Sequence, residues 1–158
     1  MKKVITYQIA NTSQEFEAGK KLFEEYALSL NVDLSFQNFM KELETIQIQY
    51  GNPEGALLLA CDGHTYVGCS GVRKLDQETA ELKRMYVKDE YRGHHIGTVL
   101  LQRSIELAKE LGYKQIRLDT LENMAKAKRL YSSFGFYEIH PYRFNPLAGT
   151  IYMEKQLY

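Results

Sequence analysis

The sequence predicts a mixed α/β fold, with a central, mostly antiparallel sheet of about seven strands flanked by about four helices. Three observations carry that expectation. Residues 56–73 read as a β-hairpin, because two apolar-rich runs flank Asp62-Gly63, a dipeptide suited to a type I′ turn. Residues 81–101 read as a strand, a turn holding Gly93 and Gly97, and the first turns of an amphipathic helix. The other helical stripes and strand-like runs follow one another without strict alternation, which argues against a doubly wound parallel sheet.

Along the chain, residues 3–9 are rich in β-branched and aromatic side chains and read as the first strand, followed by a helix cap at Thr12 or Ser13. Phe16, Phe23, Ala27 and Leu30 share one face of the helix that follows. A second helix after Asp33 places Phe36, Phe39, Met40, Leu43 and Ile46 on one side, and both stripes read as core. Turn residues crowd Gly51-Asn52-Pro53-Glu54-Gly55 and mark a loop before the hairpin. A turn at Asp76-Gln77 leads to a strand over 78–88. After the glycine turn comes a helix whose Ile96, Leu100, Leu107 and Leu111 face inward and which Gly112 ends. Residues 113–120 return as a strand. Met124, Ala127, Tyr131 and Phe134 form another helical stripe closing at Gly135, and strands over 136–139 and 150–156 finish the chain.

Composition narrows the function. A single domain spanning residues 1–158 is expected at this length, large enough to bury a core without disulfides or metals. The 20 basic and 20 acidic side chains cancel, so the bulk charge gives no reason to expect nucleic acid or an anionic membrane as partner. Cys61 and Cys69 fall in neighbouring strands, and so little cysteine fits a reducing compartment with both thiols free. The apolar patch near the start is interrupted by Thr6, Tyr7 and Gln8 and makes no secretory signal. No run approaches a membrane span, and a cytoplasmic protein is the expectation. No metal is expected: His94 and His95 are adjacent and splay apart, His64 follows a tight turn, and His140 has no Cys or His near it.

The turn from residue 92 to 98 carries the strongest functional signal. A helix start leaves its first N–H groups unpaired and carries roughly half a positive charge, so a phosphate placed there meets groups that already point at it. Arg92 adds a cation at the mouth, Gly93 and Gly97 allow close approach, and Thr98 brings a hydroxyl. Together with His94, His95 and Ile96 these residues read as an anion cradle. The spacing fits neither a Walker loop nor a dinucleotide fingerprint. It resembles instead the Arg/Gln-x-x-Gly-x-Gly/Ala turn of the GNAT acetyltransferase superfamily. Residues 127–136, Ala-Lys-Arg-Leu-Tyr-Ser-Ser-Phe-Gly-Phe, resemble that family's Ala-x-x-Leu-Tyr-x-x-x-Gly-Phe helix end. The predicted element order is similar throughout, so the resemblance covers nearly the whole chain, and the Asn-Pro-Leu-x-Gly tail resembles a group of uncharacterised bacterial members. Two positions depart from the pattern. His95 stands where the family has its middle glycine, and Met124 stands where it has an asparagine, with Asn123 one place earlier. At His95, either a left-handed residue carries about 1–2 kcal/mol of strain, or the turn is rearranged with the imidazole facing phosphate.

The resemblance implies a GNAT fold and an acetyl-CoA-dependent N-acetyltransferase acting by direct attack of a primary amine. In that reading the cradle holds the pyrophosphate of acetyl-CoA. Backbone groups of Met85, Tyr86 and Val87 pair with the pantetheine arm, with Asn123 and Ala127 beside it, and an N–H near Val87 faces the oxyanion. The family position makes Tyr131 the proton donor to the departing thiolate, whereas on periodicity alone it is a core tyrosine. An alkyl ammonium titrates near 10 and must lose a proton before attack. Glu81 or a water chain would take it; the alternative is a solvated Glu81 paired with Lys83 or Arg84. In an unbulged strand Glu81 shares a face with Lys83, Met85 and Val87.

In this family the connection over residues 140–149 borders the acceptor site. Tyr142, Arg143 and Asn145 are therefore candidates to read the substrate, Arg143 suiting a carboxylate. The plainer view is a proline-stiffened hairpin loop. A small-molecule amine is the leading acceptor, a protein amino group the second, and a non-catalytic acyl-CoA-binding module the rival from another class. A homodimer stays open.

Overall fold

The computed structural model describes residues 4–30, 34 and 38–158. In chain order these form β1 (Ile5–Ile9), α1 (Ser13–Leu30), α2 (Phe39–Glu44), α3 (Ile46–Gln49), β2 (Ala56–Asp62), β3 (Thr65–Lys74) and β4 (Thr79–Val87). They continue as α4 (Ile96–Glu110), β5 (Gln115–Leu121), α5 (Ala125–Ser133), β6 (Tyr137–Ile139) and β7 (Thr150–Gln156). The seven strands make one sheet in the order β1-β2-β3-β4-β5-β7-β6. Every neighbouring pair is antiparallel except β4 and β5, which are parallel. The mixed, mostly antiparallel fold expected from the element order is therefore the one observed.

Local chemistry accounts for most element ends. Thr12 and Glu15 form a reciprocal cap on α1: the Glu15 N–H donates to Thr12 Oγ1 at 3.1 Å, and the Thr12 N–H donates to Glu15 Oε1 at 3.0 Å. The continuous apolar run of β2 is buried almost end to end because helices cover both sheet faces there. Cys61 and Cys69 are free and buried; Cys69 lies opposite Leu59 and Cys61 opposite Tyr66, so the two do not face each other across the ladder.

One expected helix is instead two. Thr45 adopts φ −111° between α2 and α3, and its hydroxyl donates to the Lys41 carbonyl at 2.7 Å, a back-bond that competes with helix continuation. The break turns Met40 outward, 68 % exposed, so it leaves the core stripe to which periodicity assigned it. Lys3 and Phe36, also part of those expected elements, lie outside the described residues.

The two sheet faces differ in character. Leu101, Ile105 and Ala108 of α4 and Tyr131 of α5 pack with Val72, Leu82, Ile116, Leu118 and Met153 in an apolar layer. On the other face α1, α2 and α3 bring Phe16, Phe23, Leu43 and Ile46 against Leu57, Leu59 and Cys69. Tyr50 sits fully buried in that second layer, and a Cβ on Gly71 would meet its ring at 2.5 Å, so the glycine makes room for the tyrosine.

Two irregularities of β4 shape everything that follows. Cys69 pairs with Tyr86 while Gly71 pairs with Lys83, so β4 holds one residue more than β3, and Arg84 takes φ 56° at this bulge. The bulge also corrects the unbulged expectation. Met85 and Val87 pass to the α4 side, packing with Leu58, Ala60 and Ile96, while Tyr86 packs on the α1 side of the sheet. Beyond Glu81, β4 parts from β5: only Thr79, Ala80 and Glu81 pair with Gln115, Ile116 and Arg117. Among the described residues no strand pairs with β4 on that side from residue 82 onward.

Candidate active site

The glycine turn leads from β4 through a short 3-10 turn, Asp89–Tyr91, into α4. His95 is the residue before α4, in the left-handed region at φ 61° and ψ 19°, and it supplies no side-chain cap. The middle position thus keeps the backbone shape that glycine would adopt, and a histidine accepts the strain there. The first helical bond runs from the Val99 N–H to the His95 carbonyl at 3.1 Å, leaving the N–H groups of Ile96, Gly97 and Thr98 as the uncapped end of a 15-residue helix. Gly97 has ordinary φ, and a Cβ placed there would meet nothing within 4 Å. The protein's own packing does not require a glycine at this position. Arg92 is half exposed, pairs with Asp89 at 2.9 Å and donates from Nε to the Val87 carbonyl at 3.4 Å, which ties the turn to the end of β4. His94 is exposed.

The turn therefore stands at the end of the β4 edge that parts from β5, a shape that suits a phosphate-bearing, strand-like arm. These residues fit acetyl-CoA: uncapped N–H groups and Arg92 suit the diphosphate, and the free edge through Met85, Tyr86 and Val87 suits the amide groups of the pantetheine. Ala127 lies half-buried on α5, while Asn123 is exposed in the turn before it. Met124, in the place of the family's asparagine, accepts a weak contact from the Thr120 hydroxyl at 3.9 Å to its sulfur.

Tyr131 lies on α5, 8 % exposed, with its ring edge-on to Phe136 at 5.8 Å. Among the described residues its hydroxyl makes no hydrogen bond. Burial, reinforced by Tyr26 and the charge of Asp119, pushes its phenol well above the ordinary range, so it holds its proton at neutral pH.

On the α1 side the sheet carries a buried band of charge. Glu81 is fully buried and committed on both oxygens: Arg73 donates to Oε1 at 3.0 Å, and the Tyr142 hydroxyl donates to Oε2 at 2.9 Å, where Arg143 also pairs. Burial pulls this carboxyl upward, but Lys83, Arg73, Arg143 and the Tyr142 hydroxyl outweigh it and bring it down to about 2. A carboxylate held there is a weak base. Because the folded value lies below the ordinary 4.5, its stabilisation is complete above about pH 5 and lost as pH falls through 2. Urea melts should show the wild type losing about 3 kcal/mol more than Glu81→Gln over that interval.

Beside it, Glu42 of α2 holds the bulge residue. Arg84 Nη2 donates to Glu42 Oε1 at 2.8 Å, Arg84 Nε donates to Oε2 at 3.1 Å, and the Tyr50 hydroxyl donates to Oε2 at 2.9 Å. Glu42 is 2 % exposed. Glu42→Ala should therefore cost about 3–5 kcal/mol in a denaturant melt, since it leaves a guanidinium buried without its carboxylate. Lys83 lies between these groups and is pushed down to about 8, by burial first and then by Arg84.

The structure brings Tyr142 and Arg143 to Glu81, so the connection between β6 and β7 straps back across the sheet. Asn145 turns into its own loop, its Oδ1 accepting the Leu147 N–H at 2.9 Å. The sequence reading did not single out Glu42, Arg73 or Asp119, and it named Lys83 and Arg84 only as partners of a solvated Glu81, which the structure instead buries. The available signal was four charged residues, at 73, 81, 83 and 84, in strands otherwise rich in apolar residues. Among the described residues no three His, Cys, Asp or Glu side chains group as a metal site, and no helix is long and apolar enough to cross a membrane.

Known proteins share this fold and much of this sequence. The chain is 37 % identical over 155 residues to an uncharacterized N-acetyltransferase of Schizosaccharomyces pombe, covering 97 % of this chain and 95 % of that protein. A crystal structure of a GNAT-family acetyltransferase from Staphylococcus aureus superposes with TM-score 0.78 at 29 % identity, over 98 % of this chain and 100 % of the other. A Salmonella typhimurium putative acetyltransferase, solved with its cofactor acetyl-CoA, matches with TM-score 0.72 at 18 % identity, over 98 % and 95 % of the two chains, and shows the fold. The sequence pattern of the acetyltransferase (GNAT) family matches residues 20–136, and the chain belongs to that family of acyltransferases.

Proposed function

We propose that this single-domain acyltransferase moves the acetyl group of acetyl-CoA to a primary amine on a small molecule. The observation that carries this reading is the opening between β4 and β5, with an uncapped helix start at one end and Tyr131 beside it. The diphosphate rests on Ile96, Gly97 and Thr98 with Arg92 at the mouth, and the pantetheine lies along the free β4 edge as a further strand would. The amine nitrogen attacks the thioester carbon, and the carbonyl electron pair moves to oxygen, toward an N–H of β4 near Val87. The pair returns, the C–S bond breaks with its electrons on sulfur, the leaving sulfur takes the phenol proton of Tyr131, and the surplus proton of the attacking nitrogen is given up to restore that phenol.

Glu81 serves this site as an anchor rather than as the base. It docks Tyr142 and Arg143, so the connection between β6 and β7 closes over the acceptor side and favours a small amine over a protein chain. Arg143, 24 % exposed at its side chain, is the group that would meet an acceptor carboxylate. The two free, buried thiols suit a reducing compartment, and the cytoplasm is the proposed location. Thiol release from acetyl-CoA, measured over a panel of small amines and lysine peptides, tests the reading. Release with small amines above the hydrolysis rate is expected. Tight CoA binding without release would overturn it in favour of a non-catalytic binder, and release with peptides alone would overturn the small-molecule assignment.

A further inference from the structure

Among the described residues one buried side-chain oxygen has no hydrogen-bond partner, Oδ2 of Asp119. An orphaned carboxylate oxygen costs stability, and folds keep one only where something else gains from it. Asp119 lies on β5 two residues beyond Arg117, the last position paired with β4, and so on the wall of the opening. Strand alternation puts it on the same face as Arg117 and Glu81. Tyr152 of β7 is directly opposite it. Its charge acts on Tyr26 of α1, Lys83 of β4, Tyr131 of α5, Tyr142 of the strap and Tyr152. Five parts of the fold converge on this carboxylate, the proposed acid among them. Glu81, by contrast, has both oxygens engaged by Arg73, Tyr142 and Arg143.

We propose that Asp119 is the proton acceptor for the attacking nitrogen, its free Oδ2 receiving an N–H of the acceptor amine. This assignment rests on the transferase reading above. A neutral amine that adds to the thioester becomes positive at nitrogen and negative at oxygen. Oδ2 takes one N–H proton as the C–N bond forms and becomes a neutral carboxyl. The oxyanion pair then returns, the C–S bond breaks with its pair on sulfur, and Tyr131 protonates that sulfur. The Asp119 carboxyl proton passes to the Tyr131 phenolate, which restores both groups and leaves an N-acetyl amide and free CoA thiol. A fixed carboxylate stabilises this path because the positive charge on nitrogen grows only as the bond forms.

The test compares wild type, Asp119→Asn and Asp119→Ala with an amine that the wild type turns over. Asp119→Asn is expected to lower kcat by about 100-fold or more, with the acetyl-CoA dissociation constant unchanged and the melting temperature equal or higher. Added formate is expected to restore part of the rate of Asp119→Ala, which a structural role would not produce. Wild-type kcat in Asp119→Asn overturns the assignment and leaves the transferase reading standing. Lost activity accompanied by a lower melting temperature or weakened acetyl-CoA binding, without formate rescue, overturns it as well. A wild-type protein that binds acetyl-CoA and acetylates no amine overturns the transferase reading, and the role of Asp119 with it.

Discussion

Tyr131→Phe lowers kcat by about 10²–10⁴-fold while acetyl-CoA affinity and melting temperature stay where they are. The expectation follows from what the hydroxyl does not do in the resting protein. It has no hydrogen-bond partner among the described residues, so its removal orphans nothing, and phenylalanine keeps the edge-on contact with Phe136 and the packing around Leu118 and Met153. What is lost is a proton held by a buried phenol next to the opening between β4 and β5. Steady-state kinetics with a calorimetric titration of acetyl-CoA decide the matter. Unchanged kcat removes Tyr131 as the acid, and a fall in melting temperature shows that the hydroxyl is structural.

Gly97→Glu has the opposite signature, with donor binding abolished and the fold intact or slightly firmer. A Cβ at Gly97 meets nothing within 4 Å, so the side chain can be built without a clash. A carboxylate in the first turn of α4 also gains about 0.3–1 kcal/mol from the helix dipole. That same carboxylate then occupies the seat that the diphosphate needs and repels it. Acetyl-CoA titrated into the variant should give no measurable heat at concentrations that saturate the wild type, together with an equal or raised melting temperature. Retained binding would show that the diphosphate lies elsewhere, and every role assigned along β4 would fall with it.

The roles proposed for these two residues rest on local sequence signals. The cradle is seven consecutive residues, and the tyrosine sits in one short helix-end pattern. The cap at Thr12 and Glu15 and the existence of the hairpin were legible because their signals are equally local, but not the turn itself: Asp62 pairs with Thr65, so the loop is Gly63-His64 with only Gly63 at positive φ, in place of the expected type I′ turn at Asp62-Gly63. The helix break at residue 45 was not legible, because the Thr45 back-bond to Lys41, though local, also occurs inside continuous helices, and the exposure of Met40 is decided by what the rest of the chain offers to pack against. Nor was the bulge at Arg84 legible: an extra residue in one strand exists only relative to its partner, and it reversed the faces of Met85 and Val87.

The sequence by itself determined the mixed sheet and the order of its elements, which are written in periodicity and short contiguous spacing, while the roles proposed for the glycine turn and Tyr131 came from their likeness to a family pattern. The tertiary structure alone decided which charges meet. Glu81 finds Arg73 eight residues away and Tyr142 61 residues away, and Glu42 finds Arg84 across 42 residues. The physical reason is that a carboxylate's proton affinity and readiness to bond depend on distance and desolvation. Neither is a property of the one-dimensional chain, so Glu81 emerged as a committed anchor and Asp119 as the carboxylate with an oxygen to spare.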